Sequence, residues 1–243
     1  MTLGPHGDAN PIQRKTLPDN VYDILLDELS QGRWDPETPL SIDGLAQYLG
    51  VSPTPVREAL ARLETTGLVR RFARRGYRVA PPMTTAQVAE LVDARLTLET
   101  GALERAMKRQ KELLLDLEAA YEAHRRATEA LLEPEASSSR EVLMQYFADD
   151  WSFHSAILKH CGNRYIALAV ESLGFRVHRM RQTLGSGVSD APAALEEHRR
   201  ILEAVRAGDT GAAVEAMRQH LTLLSHRVEE PRDLDEDEAI EVD

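Results

Sequence analysis

Apolar residues recur at helical spacing along most of this chain of 243 residues. In the first third of the chain, apolar positions three and four residues apart predict three short helices, at about 18–32, 41–49 and 53–66. Ser52-Pro53 is typical of a helix start, with a hydroxyl cap before a proline in the first turn. From Leu68 to Val79 the pattern changes to two short strands around the turn at Arg75-Gly76. This order predicts a compact three-helix unit followed by a basic hairpin.

After a Pro81-Pro82 linker, the remaining chain has the pattern of amphipathic helices. Thr84 and Gln87 stand three residues apart, as the two members of a capping box do. Six helices are predicted, at about 85–107, 111–132, 141–160, 164–184, 191–207 and 210–228. This region is long enough for an all-α domain with its own core. The fold class is therefore mainly α, with a winged helix-turn-helix domain at 14–80, a linker at 81–87 and an all-helical bundle at 88–228.

Charge is distributed unevenly along the chain. The formal net charge is −11, with 29 basic and 40 acidic residues, and this total alone argues against nucleic acid as a partner. Residues 52–82, however, carry a net charge of +5, while residues 229–243 carry −8. An acidic run without apolar periodicity predicts a disordered tail, and residues 1–13 are expected to be disordered too. The body of the protein is thus nearly neutral and has one basic patch.

Several classes of protein are excluded by composition. Cys161 is the single cysteine, which excludes a disulfide framework and a four-thiolate zinc site, so we expect it to act as a small hydrophobic side chain. No apolar run reaches the ~18 residues of a membrane span, and the first residues lack the apolar core of a secretory signal. We therefore expect a cytoplasmic protein with no membrane partner.

The second and third helices with the basic hairpin form the pattern of a winged helix-turn-helix. Such a unit presents the start of its last helix to the major groove of DNA. Arg57 lies one turn into that helix, and its planar guanidinium suits a guanine edge or a phosphate. Ser52 and Thr54 offer hydroxyls at the helix N-terminus, where backbone N–H groups favour phosphate. Arg75-Gly76 forms the tip of the wing, where the arginine can enter the minor groove; an ordinary solvated face is the alternative interpretation of these arginines.

A second set of residues has the spacing of a metal site. Asp150 and His154 stand four apart and so share a helix face. His198 and His220 lie at similar distances on either side of the Gly208-Asp209 turn, which places them at similar height on antiparallel helices. One carboxylate and three imidazoles suit zinc, nickel, manganese or iron, with positions left for a ligand. From spacing alone, four unrelated polar residues are an equal alternative. Four further histidines have no comparable companions and are interpreted as surface or core residues: His124, His160, His178 and His226.

The predicted winged helix-turn-helix domain, here called the reading head, resembles a known family. From Leu45 the chain runs Leu-Ala-x-x-Leu-Gly-Val-Ser-x-Thr-Pro-Val-Arg-Glu-Ala-Leu-x-Arg-Leu-Glu-x-x-Gly-Leu-Val, followed by Arg-Gly-Tyr-x-Val from Arg75. This resembles the DNA-binding domain of GntR-family bacterial transcription regulators over about residues 17–82. The resemblance implies DNA contacts at Ser52, Thr54, Arg57 and the wing tip. The family usually has arginine where this chain has Pro53, so the operator is expected to differ and binding to depend more on Arg57 and the wing.

Residues 88–228 look like the FCD ligand-binding domain of the FadR-like branch of that family. The matching landmarks are Arg95-x-x-Leu-Glu99, Asp150-x-x-Phe-His154, Gly162-Asn163, Glu197-His198, Gly208-Asp209 and His220-Leu221. The resemblance implies that Asp150, His154, His198 and His220 bind a divalent metal, zinc being the first choice, which in turn binds a small carboxylate effector. It also implies that Arg95 enters the effector cavity, a surface ion pair with Glu99 being the alternative. Asn163 is expected either to line the cavity or to cap the next helix.

Together these features predict a transcription regulator and not an enzyme. We expect a homodimeric repressor that binds a near-palindromic DNA operator and responds to the effector. One alternative is a metal-dependent enzyme acting on a small carboxylate, although the sequence offers no convincing general base, since Glu196 and Glu197 are equally open to interpretation as solvated residues. Another is a regulator whose metal is purely structural.

Overall fold

The computed structural model describes residues 16–30, 32–73, 75–133, 139–174, 188 and 190–229. The chain divides into two compact units after Ala80. The disorder predicted for residues 1–13 and for nearly all of the acidic tail concerns residues outside those described. The same holds for His178 and for the side chain of His226.

The first unit contains three helices and a small antiparallel sheet. Its elements are α1 (Leu17–Ser30), β1 (Pro39–Leu40), α2 (Ile42–Leu49), α3 (Pro53–Thr65), β2 (Val69–Phe72) and β3 (Gly76–Val79). The strands are ordered β1-β3-β2, with both pairs antiparallel. Strand β1 was not predicted, because Thr38-Pro39 has the sequence of a turn. Proline is tolerated in this edge strand, and Leu40 pairs with Tyr77 and is buried.

Local signals explain the boundaries of the helices in the first unit. Ser41 caps α2 by accepting a hydrogen bond from the backbone N–H of Gly44 at 3.2 Å. Gly50 ends α2 in the left-handed conformation at φ +66°, which glycine adopts without steric cost. Buried apolar residues then fix α1 and α3 against each other: Leu25, Leu29, Val56, Leu60 and Leu63.

The second unit is entirely helical in the residues described. Its helices are α4 (Thr85–Ala106), α5 (Gln110–Leu132), α6 (Arg140–His160), α7 (Arg164–Ser172), α8 (Ala191–Ala207) and α9 (Thr210–Glu229), with a short 3₁₀ turn at Met107–Arg109. The capping box at the start of α4 forms as predicted: the N–H of Gln87 donates to Thr84 Oγ1, and the N–H of Thr84 donates to Gln87 Oε1.

Helix α7 is shorter than the sequence pattern predicted. The expected helix over 164–184 ends at Ser172. Gly174 follows with φ +60°, a conformation that interrupts an α-helix. The rest of the predicted span, residues 175–184, lies outside those described.

The long helices enclose a core into which the predicted metal ligands project. Helices α4, α5, α6, α8 and α9 pack against one another, and fully buried apolar side chains fill their interior: Leu103, Leu113, Phe153, Ile201 and Met217. The described helices include none that is long and apolar enough to cross a membrane.

Candidate metal centre and nucleic-acid interface

Three histidines converge in the interior of the second unit. His154 comes from α6, His198 from α8 and His220 from α9, and none is more than 2% exposed. One ring nitrogen from each lies within 4.8 Å of those of the other two. The Nε2 atoms of His154 and His198 are 3.3 Å apart. Nitrogen donors that converge in this way on a dry interior have the chemistry of a transition-metal site.

Carboxylates fix the tautomer of two of these rings. His154 Nδ1 lies 2.6 Å from Glu99 Oε2, and His220 Nδ1 lies 2.8 Å from Glu197 Oε2. A carboxylate accepts hydrogen bonds, so both rings carry their proton on Nδ1 and keep the Nε2 lone pair for a metal. Outer carboxylates of this kind commonly orient the histidine ligands of metal ions.

Asp150 stands at the edge of the same cluster. It precedes His154 by one helical turn, and its Oδ1 lies 4.0 Å from His198 Nε2. Its side chain is 19% exposed, so this carboxylate is the most solvent-accessible of the four predicted ligands. The structure thus brings together the carboxylate and three imidazoles that the sequence assigned to one site.

Burial favours the neutral form of two of these histidines, His198 and His220. Desolvation is the largest influence on His198 and lowers its pKa well below the ordinary value, and the neighbouring histidines lower it further. Desolvation also lowers the pKa of His220, although Glu197 acts against it. Neutral imidazole is the form that binds a metal, so the interior holds these ligands ready for binding near neutral pH.

The outer carboxylates remain ionised although they are buried. Burial alone would raise the pKa of Glu99, but the charges of Arg95 and His154 together outweigh it and lower the pKa far below the ordinary value. At Glu197, burial is likewise outweighed by hydrogen bonds from His220 and Arg227, and the pKa is lowered. Of the two interpretations of Glu197, the solvated one does not hold, because this residue is only 5% exposed.

Arg95 is buried beside the site. Its Nε donates to Glu99 Oε1 at 2.5 Å, and its Nη2 lies 3.3 Å from His154 Nδ1. The ion pair with Glu99 therefore exists, but in the interior and not on the helix surface as the alternative interpretation assumed. A small cavity of about 10 Å³ adjoins it, room for about one water molecule. The side chains that line it are Arg95, Tyr146, Asp150, His154, Ala194, His220 and Leu224.

Asn163 has a capping role. It is the N-cap of α7, and its Oδ1 accepts hydrogen bonds from the backbone N–H groups of Tyr165 and Ile166 at 3.0 and 3.3 Å. It is not among the residues that line the small cavity. Of its two expected roles, Asn163 therefore has that of capping the next helix and not that of lining the cavity.

His124 is the site residue that sequence reasoning missed. It is fully buried on α5, and its Nδ1 lies 3.0 Å from His198 Nδ1. A signal was present in the sequence, because His124 falls on the apolar stripe of its helix. The other members of that stripe are Leu113, Leu117, Ala120, Ala127 and Leu131.

In the first unit, the predicted DNA contacts lie at the exposed start of α3 and at the tip of the wing. Ser52 is the N-cap residue, and its hydroxyl makes no capping hydrogen bond. Pro53 occupies the first turn, and Thr54 and Arg57 are exposed. Gly76 adopts φ +77° beside Arg75 at the start of β3, so the tip of the wing needs glycine there.

The structure separates the six described arginines of the basic patch into two groups. Three are committed to the protein: Arg62 pairs with Asp19 at 2.7 Å, Arg70 with Glu37 at 4.0 Å, and Arg78 donates to the carbonyl of Glu37 at 2.8 Å. In contrast, Arg57, Arg71 and Arg75 are exposed and make no ion pair with any described residue. These three guanidinium groups are therefore available to an external anion.

Family comparisons identify both units. The family described as "Bacterial regulatory proteins, gntR family" matches residues 17–79, and the FCD domain matches residues 90–223.

The chain is a GntR-family transcription regulator with an FCD domain.

This regulator is 30% identical over 211 residues to the HTH-type transcriptional repressor GlaR of Escherichia coli (strain K12), covering 82% of this chain and 90% of the relative. It is 29% identical over 212 residues to the probable D-xylose utilization operon transcriptional repressor of Paenarthrobacter nicotinovorans, covering 86% and 88%. Its fold is similar to a solved structure of E. coli McbR/YncC, with a TM-score of 0.68 at 22% identity over 88% of this chain and 98% of that one.

The comparisons confirm the expected family, the mainly helical fold class and the assignment as a regulator. Both matching families and the relatives are transcription regulators and not enzymes, which leaves the enzyme alternative without support.

Proposed function

We propose that this GntR-family repressor is a cytoplasmic homodimer that binds a near-palindromic operator, and that a small carboxylate bound at a divalent metal controls its affinity for DNA. Transcriptional repression itself is supported by the repressors among its relatives. The observation that carries the metal part is the convergence of three buried imidazoles, two of them held by ionised carboxylates.

The residues present fit a divalent metal. His154, His198 and His220 would bind it through Nε2, and Asp150 would add one negative charge at the accessible side. Zinc suits this donor set best, with nickel, manganese and iron as alternatives. When bound, such an ion acts as a Lewis acid that attracts the carboxylate of an effector.

The size of the cavity suggests how an effector would act. A volume of about 10 Å³ holds one small group, so a carboxylic acid can enter only if the surrounding helices separate. Arg95 lines this cavity and carries the positive charge that would pair with the acid. A ligand that binds only the opened domain shifts the population toward it, and this difference in affinity is what regulation requires.

At the DNA, the first unit would use the exposed arginines. Arg57 would read base edges from α3, and Arg75 at the wing tip would bind the minor groove or a phosphate. Ser52 and Thr54 would anchor the helix N-terminus on the backbone. With Pro53 in the usual arginine position, sequence recognition would rest on fewer side chains.

Fluorescence anisotropy with a labelled duplex from the upstream region of the protein's own gene tests this function. We expect specific binding by the zinc-loaded protein and release on addition of one member of a panel of small carboxylic acids. A scrambled duplex of the same length is the control. Equal affinity for both duplexes under every condition would contradict the proposal.

A structural metal is the second candidate, and the small cavity favours it. In that case the ion only joins α6, α8 and α9, and the acid has no site. Thermal unfolding with zinc, with chelator, and with zinc plus each acid separates the two. A rise in melting temperature with zinc that no acid increases further supports the structural role, whereas a further rise with an acid supports effector binding.

A further inference from the structure

A fourth imidazole lies directly behind the predicted metal ligands. His124 on α5 is 0% exposed, and its Nδ1 lies 3.0 Å from His198 Nδ1. On the other side of the ring, its Nε2 lies 3.8 Å from Asp150 Oδ1 and has no hydrogen-bond partner among the described residues. His124 therefore stands between two predicted ligands that come from two other helices.

The contact between the two Nδ1 atoms restricts which ring can bind a metal. A separation of 3.0 Å is that of an N–H···N hydrogen bond, so one ring donates from Nδ1 and the other accepts. A neutral imidazole carries one ring proton. The donor therefore keeps a free Nε2 lone pair, while the acceptor carries its proton on Nε2 and cannot bind a metal there. His124 and His198 exclude each other as Nε2 ligands.

The surroundings select His198 as the ligand. Its Nε2 lies 3.3 Å from His154 Nε2, and its ring centroid lies 4.6 Å from that of His220. Phe153 stacks on it at 4.1 Å with an interplanar angle of 6°, which fixes the plane of the ring. His124 is then left as the acceptor.

We propose that His124 is a positioning residue of the metal site, which accepts the Nδ1–H of His198 and turns its own Nε2–H toward Asp150. This inference rests on the proposed metal site. His124 on α5 would thereby orient two ligands of the same ion, Asp150 on α6 and His198 on α8.

The choice of residue fits the electrostatics of the interior. The other two histidine ligands have carboxylates, Glu99 and Glu197, as their outer partners. A third buried carboxylate behind His198 would add an uncompensated negative charge to the core, at a high cost in free energy. A neutral imidazole accepts the same proton without adding charge.

Zinc affinity, measured by competition with a chromophoric chelator, tests the role of His124. His124→Phe keeps a ring but removes the acceptor, and we expect zinc affinity to fall about 10–100-fold, as for other outer partners of metal ligands. His124→Asn places an amide oxygen near the position of Nδ1 and should restore most of the affinity. His160→Phe is the matched control, since His160 pairs with Asp116 away from the site, and it should bind zinc like the wild type.

Ring ¹⁵N NMR of the zinc-loaded wild type tests the tautomers without any substitution. We expect His198 to be protonated at Nδ1 and His124 at Nε2. A zinc-loaded protein with His124 protonated at Nδ1, or a His124→Phe variant with wild-type zinc affinity, would overturn this inference and leave the metal site standing. A wild-type protein that takes up no zinc would instead overturn the metal site itself, and the inference with it.

Discussion

The two units hold their candidate functional groups in opposite environments. In the reading head, Arg57, Arg71 and Arg75 are exposed and make no ion pair with a described residue. In the FCD domain, the three histidines are buried among hydrogen-bonded carboxylates and aromatic rings. A functional group on the surface can be changed at little cost to stability, whereas one in the core contributes to function and to packing at once. Substitutions in the head should therefore change function without changing stability, whereas substitutions in the helical domain should change both together.

The largest effect is expected from loss of a central ligand. His198→Ala removes one of three nitrogen donors and the ring that stacks on Phe153. We expect zinc affinity to fall more than ~100-fold, beyond the range of outer partners, and the chain to lose roughly 2 kcal/mol or more of stability from the cavity that remains. Elemental analysis and urea unfolding measure the two effects. A His198→Ala protein that retains zinc and full stability would contradict the expectation that buried groups in the helical domain affect function and stability together.

The head should respond through DNA affinity alone. Arg57→Ala is expected to cost about 1–3 kcal/mol in binding to the operator, because a bidentate base or phosphate contact is lost. Zinc content and melting temperature should stay unchanged. Arg62→Ala is the matched control on the same helix, and since its guanidinium is held by Asp19 it should weaken DNA binding less. Equal losses of operator affinity in both variants would contradict the division of the arginines into exposed ones available to DNA and ones paired within the protein.

Acid should destabilise the helical domain and spare the head. Burial lowers the pKa values of His124, His198 and His220, whereas residues 16–80 contain no histidine. Below about pH 6.5, the unfolded chain binds protons that these rings do not bind in the folded state. The free energy of unfolding therefore decreases as the pH is lowered, by up to about 1.4 kcal/mol per pH unit for each ring.

Denaturant unfolding in the presence of chelator, at pH 7.5 and at pH 5.5, measures this difference. We expect the helical domain to unfold at lower denaturant concentration at pH 5.5. Equal midpoints at the two pH values would show that the histidines titrate normally in the folded chain.

The smallest effect should come from the acidic tail. Removal of residues 229–243 takes away most of the net negative charge, which repels DNA, so affinity for a non-specific duplex should rise severalfold at low salt. At high salt, screening should abolish the gain. Anisotropy titrations at two salt concentrations measure it, and an unchanged low-salt affinity would exclude a role for the tail.

Local signals were sufficient for much of the head. The helix start at Ser52-Pro53, the glycine that ends α2 and the wing turn are each determined by a few neighbouring residues, so the pattern located them. The sequence did not reveal which arginines are committed to the protein, since the partners Asp19 and Glu37 lie far away along the chain. Strand β1 was missed for the same reason, because it exists only through its pairing with β3.

In the helical domain, the sequence indicated which predicted ligands converge better than it indicated the residues that contact them. Asp150 and His154 share a helix face by spacing, and the turn at Gly208 relates His198 to His220. His124 and Glu197 could not be assigned, since their roles depend on how neighbouring long helices are rotated and shifted against each other. A single histidine on an apolar stripe gives no indication of which helix it will meet.

The proposal that the metal site controls DNA binding is tested most directly by the response of operator affinity to carboxylic acids, with and without zinc. The measurement compares wild type and His198→Ala by anisotropy, each with zinc and with chelator. We predict that an acid which releases the operator from zinc-loaded wild type has no effect on the chelated protein or on His198→Ala. The same release in all four samples would contradict control through the metal site.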